Sequence, residues 1–289
     1  MADWRDEPGV AALLPGADAF LVDQFGTLHD GARPYPGALA ALRLLRRDGA
    51  RVALLSNSGK RSAANEARLQ PAWLPPDSYA AFLSSGEAAW HVLRARREAG
   101  LRACLLLSRD GDEEAIAGTG LRRVMRAAEA ELVLIAGSEA ERIGLAAYER
   151  LLAPAAERGI PAICSNPDRL MLVNGGTAPG AGQIAALYER LGGPVEWIGK
   201  PHLPIYRHAL ALLGDPAPSR VWGVGDSVEH DIAGARGAGC RAALIANGIA
   251  TGLDGAALAG RAGASRHRAG CAAACISTVS GVAPAAGNR

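Results

Sequence analysis

The sequence predicts an α/β fold: a Rossmann-like, mostly parallel sheet with helices on both faces. Two observations carry that prediction. Short apolar runs alternate with amphipathic stretches along most of the chain, as strands and helices do in α/β domains. The runs are apolar throughout rather than at every second residue, which marks strands buried on both faces of a parallel sheet. A third observation locates the chemistry. Several runs end in a polar residue, and in such sheets ligands bind beyond the carboxyl ends of the strands.

In chain order, residues 19–22 (Ala-Phe-Leu-Val) form a compact apolar strand that ends at Asp23. Pro36-Gly37 then opens the amphipathic helix of residues 38–47, which stops at Asp48-Gly49. Residues 52–55 are a second strand, ending at Ser56. Strands follow at 103–107, 132–135 and 161–164, with helices between them. A strand at 221–224 leads into Gly225-Asp226, and residues 241–246 close the regular pattern. The stretch 261–289 is rich in Ala, Gly, Ser and Arg, contains no Asp or Glu, and is expected to be a poorly ordered tail. No internal repeat is visible.

Composition narrows the function classes. With 289 residues the chain has room for one large or two modest domains. Its +2 net charge comes from scattered basic residues with no interleaved aromatics, which argues against a nucleic-acid partner. No apolar run approaches the ~20 residues needed to span a bilayer, so no membrane partner is expected. The N-terminal MADWRDEPGV does not read as a signal peptide. The five cysteines are odd in number, and Cys271 and Cys275 lack zinc-ligand neighbours, which suits a reducing cytoplasm. A cytoplasmic location is therefore expected.

Four segments carry chemistry. The first, FLVDQFGTLHDG, puts Asp23 at a strand end before a Gly-Thr turn. In the second, LLSNSGKR, the Ser56 hydroxyl with Asn57, Ser58 and the amides beyond could hold a phosphoryl oxygen, or simply cap a helix. The third, WIGKPHLPIY, holds Lys200 before Pro201, as an anion-site cation or a solvated charge. In the fourth, VWGVGDSVEHDIAGARGAG, Asp226 ends a strand and Asp231 lies in the first turn of the next helix. Such acids can stabilise a helix dipole, and they also form a hard-oxygen site for Mg²⁺.

In order and strand-end placement, these segments resemble the haloacid dehalogenase-like superfamily from about residue 18 to residue 252. The resemblance implies Asp23 as nucleophile, Ser56 and Lys200 as catalytic partners, and Mg²⁺ held by Asp23, Asp226, Asp231 and the backbone carbonyl of Phe25. The long gap between Ser56 and Lys200 is similar to class IIA, where an α/β cap is inserted. It implies a core of residues 1–86 and 194–260 around a cap of 87–193. The cap signature Ser165-Asn166-Pro167-Asp168, with Asn174-Gly175-Gly176 beyond it, adds Asn166 and Asp168 to Asn57 and Ser58 as substrate-binding candidates. Taken without the family, these are turn signals. The partner implied is a small phosphorylated metabolite, and class IIA allows a homodimer.

One position departs from the pattern. Phosphatases of the superfamily carry a second aspartate two residues after the nucleophile, as general acid and base, and here that residue is Phe25. Losing such help costs ~10²–10⁴-fold in rate. His29, in the same loop, is expected to be solvent-exposed. The leading expectation is a Mg²⁺-dependent phosphomonoester hydrolase. A weakly active or inactive binding protein is the alternative that Phe25 supports. A metal-independent dehalogenase fits the aromatic residue but not the paired acids of the fourth segment.

Overall fold

The computed structural model describes residues 4–7, 9–174, 176–245 and 273–276, with side chains for 9–174 and 176–245. The chain divides into two compact units. The first comprises residues 1–56, 66–83 and 200–289, and the second residues 57–65 and 84–199. Among the described residues no helix is long and apolar enough to cross a membrane.

The first unit is built on strands β1 (Trp4–Glu7), β2 (Ala19–Asp23), β3 (Arg51–Ser56), β4 (Ala81–Ser84), β12 (Val221–Gly225), β13 (Arg241–Ile245) and β14 (Ala273–Ile276). They form one sheet in the order β1-β14-β13-β12-β2-β3-β4. The pairings from β1 across to β3 are parallel. β2 and β12 are buried along their whole length, as apolar runs predict. Phe20, Val22, Val52, Leu54 and Val224 share a core with Leu42 and Leu45 of the helix Ala38–Arg47. That helix buries Ala38, Ala41, Leu42 and Leu45, one apolar stripe at helical spacing, while Arg43, Arg46 and Arg47 stay exposed. Each buried Leu contributes about 1.5–3 kcal/mol. Gly49, at φ +88°, takes the left-handed position that ends the helix.

The chain leaves β2 for β3 on one side, while β12 pairs on the other. The connections therefore diverge at β2, which makes its carboxyl end the switch point of the sheet. Register places Val22 opposite Val224 and Asp23 opposite Leu55, so Asp23, Ser56 and Asp226 all leave at that edge.

Residues 273–276 form β14 between β1 and β13, because Ala-Ala-Cys-Ile is an apolar run and β13 otherwise offers an unpaired edge. Residues 261–272 and 277–289 lie outside the described residues, as do Ala246 of the last expected strand, Cys271 and Gly175.

The second unit has its own parallel sheet of β5 (Ala103–Leu107), β6 (Arg122–Val124), β7 (Leu132–Ile135), β8 (Ala162–Cys164) and β11 (Val195–Trp197), in the order β11-β8-β7-β5-β6. An antiparallel hairpin of β9 (Leu170–Val173) and β10 (Gly176–Pro179) stands apart from it. Its core gathers Val133, Ile135, Leu152, Ile184 and Tyr188. Residues 57–65, assigned to the core by the sequence, group with this unit. Arg61 forms two hydrogen bonds to Glu87, at 2.6 and 2.8 Å, the Ser84 hydroxyl donates to the Lys60 carbonyl, and the Gly86 amide donates to that of Ser58.

Candidate active site

The first unit concentrates charge at the switch point. Asp23 is the last residue of β2, and Asp226 follows β12 directly. Asp231 comes from the turn Val228–Ile232, whose start is capped by Ser227 accepting from the His230 amide at 3.2 Å. Asp231 folds back, so that its Oδ2 accepts from the Ser227 amide at 3.1 Å. Cap and carboxylate thus fix each other, in the manner of reciprocal helix capping. One carboxylate oxygen from each of Asp23, Asp226 and Asp231 lies within 4.8 Å of the others, and all three residues are buried.

Lys200 completes the cluster. The residue is 4% exposed, and its ammonium donates to Asp23 Oδ1 and to Asp231 Oδ1, the latter at 2.6 Å. Burial opposes its charge, but Asp23 and Asp231 outweigh burial and hold the amine well above the usual lysine range. Burial likewise pushes the Asp23 carboxyl up to about 7, against the lowering pull of Lys200, with Asp231 and Asp226 adding to the rise. Leu21, Leu55 and Val224 line the narrow recess beneath, so the charges meet in a low-dielectric setting.

Three carboxylates and one ammonium are buried together here, and buried charge is costly unless paired. Hard oxygen donors this close together fit a small divalent cation such as Mg²⁺. The backbone is shaped around them. A Cβ on Gly26 would fall 2.1 Å from Asp226 Oδ2, and one on Gly225 2.2 Å from Asp231 Cγ. Only glycine admits the carboxylates at these points.

The remaining predicted residues divide between the units. Ser56 ends β3, half-buried, at the edge that bears Asp23. Asn57 and Ser58 belong to the second unit, as do Asn166 and Asp168. There the Asn57 amide donates to Asp168 Oδ1 at 2.8 Å, so these two meet across 111 residues. Asn166 Oδ1 accepts from the Asp168 amide at 3.1 Å, closing the Asn-Pro-Asp turn. Gly180 and Gly182 press against the carbonyls of Asp168 and Pro167, where any side chain would clash.

Phe25 turns outward, 47% exposed. His29 is not the exposed loop residue expected. It is 3% exposed, lies beside the rings of Phe25 and Trp73, and accepts from the Gly31 amide through Nδ1 at 2.9 Å. The tight turn of residues 24–29, in which the Gln24 carbonyl accepts three amides, draws the imidazole inward. Burial lowers its pKa and keeps it neutral. Two contributors were missed in the sequence. Thr27 donates to Asp23 Oδ2 at 3.5 Å, a role hinted at by the Gly-Thr pair. Tyr206 donates to the carbonyls of His230 and Asp231, and nothing in its local sequence announces that.

Comparison with known proteins gives this geometry a family. A profile described as haloacid dehalogenase-like hydrolase matches residues 20–122, and an HAD-hydrolase-like profile matches 197–265. The two matches carry Asp23 and Ser56, then Lys200, Asp226 and Asp231. The chain belongs to the haloacid dehalogenase-like hydrolases. Residues 123–196, between the two matches, fall inside the second unit, the inserted α/β cap of a class IIA member.

Its relatives in this family include phosphatases. D-glycerol 3-phosphate phosphatase of Mycobacterium tuberculosis is 28% identical over 242 residues, which cover 82% of this chain and 65% of that protein. The match thus spans slightly less than two thirds of that relative's length. A solved p-nitrophenyl phosphatase from Archaeoglobus fulgidus is 26% identical with a TM-score of 0.73, covering 91% of this chain and 97% of its own. A glycerol phosphate phosphatase of M. tuberculosis, solved with magnesium, is 25% identical with a TM-score of 0.63, covering 82% and 70%.

Proposed function

We propose that this hydrolase is a Mg²⁺-dependent phosphomonoesterase acting on a small phosphorylated metabolite, with Asp23 as its nucleophile. The observation that carries the reading is the buried cluster of Asp23, Asp226, Asp231 and Lys200 at the switch point of a parallel sheet. The phosphatase names of its relatives support it independently.

An Asp23 oxygen attacks phosphorus in line while the bond to the ester oxygen breaks and that oxygen leaves with the electron pair, giving an aspartyl-phosphate that water then cleaves to phosphate and free Asp23. Lys200 orients that carboxylate and opposes the charge of the phosphoryl group. The Ser56 hydroxyl contributes a hydrogen bond to a phosphoryl oxygen. Asp23, Asp226, Asp231 and the Phe25 carbonyl would hold Mg²⁺, which when bound would supply positive charge against the carboxylates and the phosphate. Asn57, Ser58, Asn166 and Asp168 are the substrate-side candidates, and the Asn57–Asp168 hydrogen bond supports treating them as one constellation.

The test is phosphate release from a panel of phosphomonoesters, with Mg²⁺ and with EDTA, for the wild-type protein and Asp23→Asn. Release should require Mg²⁺ and vanish in the mutant. Turnover that survives EDTA or the mutation sinks the assignment. Phe25 favours a second reading, a binding protein with negligible turnover. Tight phosphoester binding by folded protein without release would establish that one instead.

A further inference from the structure

Resting on the phosphatase reading, we propose that this enzyme selects substrates by the basicity of the leaving group. It takes phosphoesters whose leaving oxygen departs unprotonated, above all aryl phosphates, and rejects alkyl ones. The inference comes from which side chains around Asp23 can hand over a proton.

In the loop after Asp23, Phe25 emerges into solvent, and it carries no proton to give. Gln24 is a buried amide, and the Thr27 hydroxyl is buried and turned to Asp23 Oδ2. His29 has the right chemistry in the wrong place. Its Nδ1 is taken by the Gly31 amide, and its Nε2 is sealed from solvent without a partner among the described residues. Asp30 spends one carboxylate oxygen on the amides of Ala32 and Arg33. The phenol of Tyr35, half-buried at the loop's exit, holds its proton more tightly than usual, chiefly through burial, which makes it a poor donor. Within the cluster, Lys200 is ion-paired to Asp23 and Asp231, and the Tyr206 hydroxyl points at backbone carbonyls.

The consequence is a matter of electron balance. As the Asp23 oxygen bonds to phosphorus, the bond from phosphorus to the leaving oxygen breaks, and its electron pair stays on that oxygen. With no ready donor among the described residues of this loop, the leaving group carries the charge until water protonates it. A phenolate can do so by delocalisation, and enolates and carboxylates share that property. An alkoxide cannot. The Phe25 ring reinforces the preference. It packs over Gly31, where a Cβ would come within 3.1 Å of Cε2, and its ring centre lies 6.1 Å from that of His29 at a near-perpendicular angle, yet nearly half of it stays open as an apolar surface two residues from the nucleophile.

The experiment is kcat/KM at saturating Mg²⁺ for p-nitrophenyl phosphate, phenyl phosphate and glycerol 3-phosphate, because this ratio reports the step that expels the leaving group. It should fall steadily along the series, with the alkyl ester ~10²–10⁴-fold below the most activated aryl ester. Phe25→Asp should raise the alkyl ester most and flatten the series, while Phe25→Leu leaves it steep. A wild-type alkyl ester within about tenfold of the aryl esters overturns the selectivity and leaves the phosphatase reading standing, since acid help is worth more than that. No release from any member overturns the phosphatase reading itself, and this inference with it.

Discussion

Gly26 sits where the chain has least freedom. It adopts φ +86°, and a Cβ there would overlap the Asp226 carboxylate. Gly26→Ala should cost about 1–2 kcal/mol for the left-handed backbone alone and push Asp226 out of the acidic cluster. Titration calorimetry should show weakened Mg²⁺ binding, and wild-type affinity in this variant would remove Asp226 from the ligand set. Asp23 makes a second prediction at this scale. Its carboxyl is raised from 3.8 to about 7 in the folded protein, chiefly by burial, so the folded state holds a proton that the unfolded state releases. The associated stability is fully present below 3.8 and is lost as the pH rises through about 7. Without metal, the unfolding midpoint of the wild type should therefore decline over that window more than that of Asp23→Asn. Mg²⁺ must displace the same proton, so its affinity should climb as the pH passes 7. An affinity flat from pH 6 to 8 would contradict the raised value.

Among the elements, the turn Val228–Ile232 matters most, because it carries Asp231. Its Ser227 cap accepts from the His230 amide. Ser227→Ala should cost about 1 kcal/mol and, by loosening the turn, weaken Mg²⁺ binding as well as stability. Thermal unfolding with and without metal separates the two effects. In the cap unit, the guanidinium of Arg61 grips Glu87 with two hydrogen bonds while lying 3.9 Å from the centre of the Trp90 ring. Burial would raise the Glu87 carboxyl, yet Arg61 and the Ser62 amide hold it below its usual range. A planar fork that stacks and pairs at once has no lysine equivalent. Arg61→Lys should lower stability by about 1–2 kcal/mol, measured as a shift in the urea midpoint. No shift would mean that the pair is ornamental.

For the whole molecule, the acids cost stability until a cation joins them. Binding to the folded state alone stabilises it, by about 2.7 kcal/mol at a hundredfold excess over Kd. Mg²⁺ should thus raise the melting temperature of the wild type, EDTA should reverse the rise, and Asp226→Asn should abolish it. An equal rise in the mutant would place the ion elsewhere.

The sequence by itself determined the α/β class, because short continuous apolar runs alternating with amphipathic stretches match strands buried on both faces between helices. It also determined which residues end those strands: Asp23, Ser56 and Asp226 were readable from the position at which each run stops. Lys200 and Asp231 were readable as candidates from their segments, each with an ordinary local alternative, and the family resemblance chose between the two readings. What tertiary structure decided is whatever depends on neighbours distant in sequence. Strand register and crossover put Asp23 and Asp226, 203 residues apart in number, at one sheet edge. The folding of a tight turn buried His29 and turned Phe25 outward, and pairing with β13 places residues 273–276 in the same sheet. The raised Asp23 carboxyl belongs here too. A pKa follows from burial and from the charges that converge on a group, and periodicity along the chain carries neither.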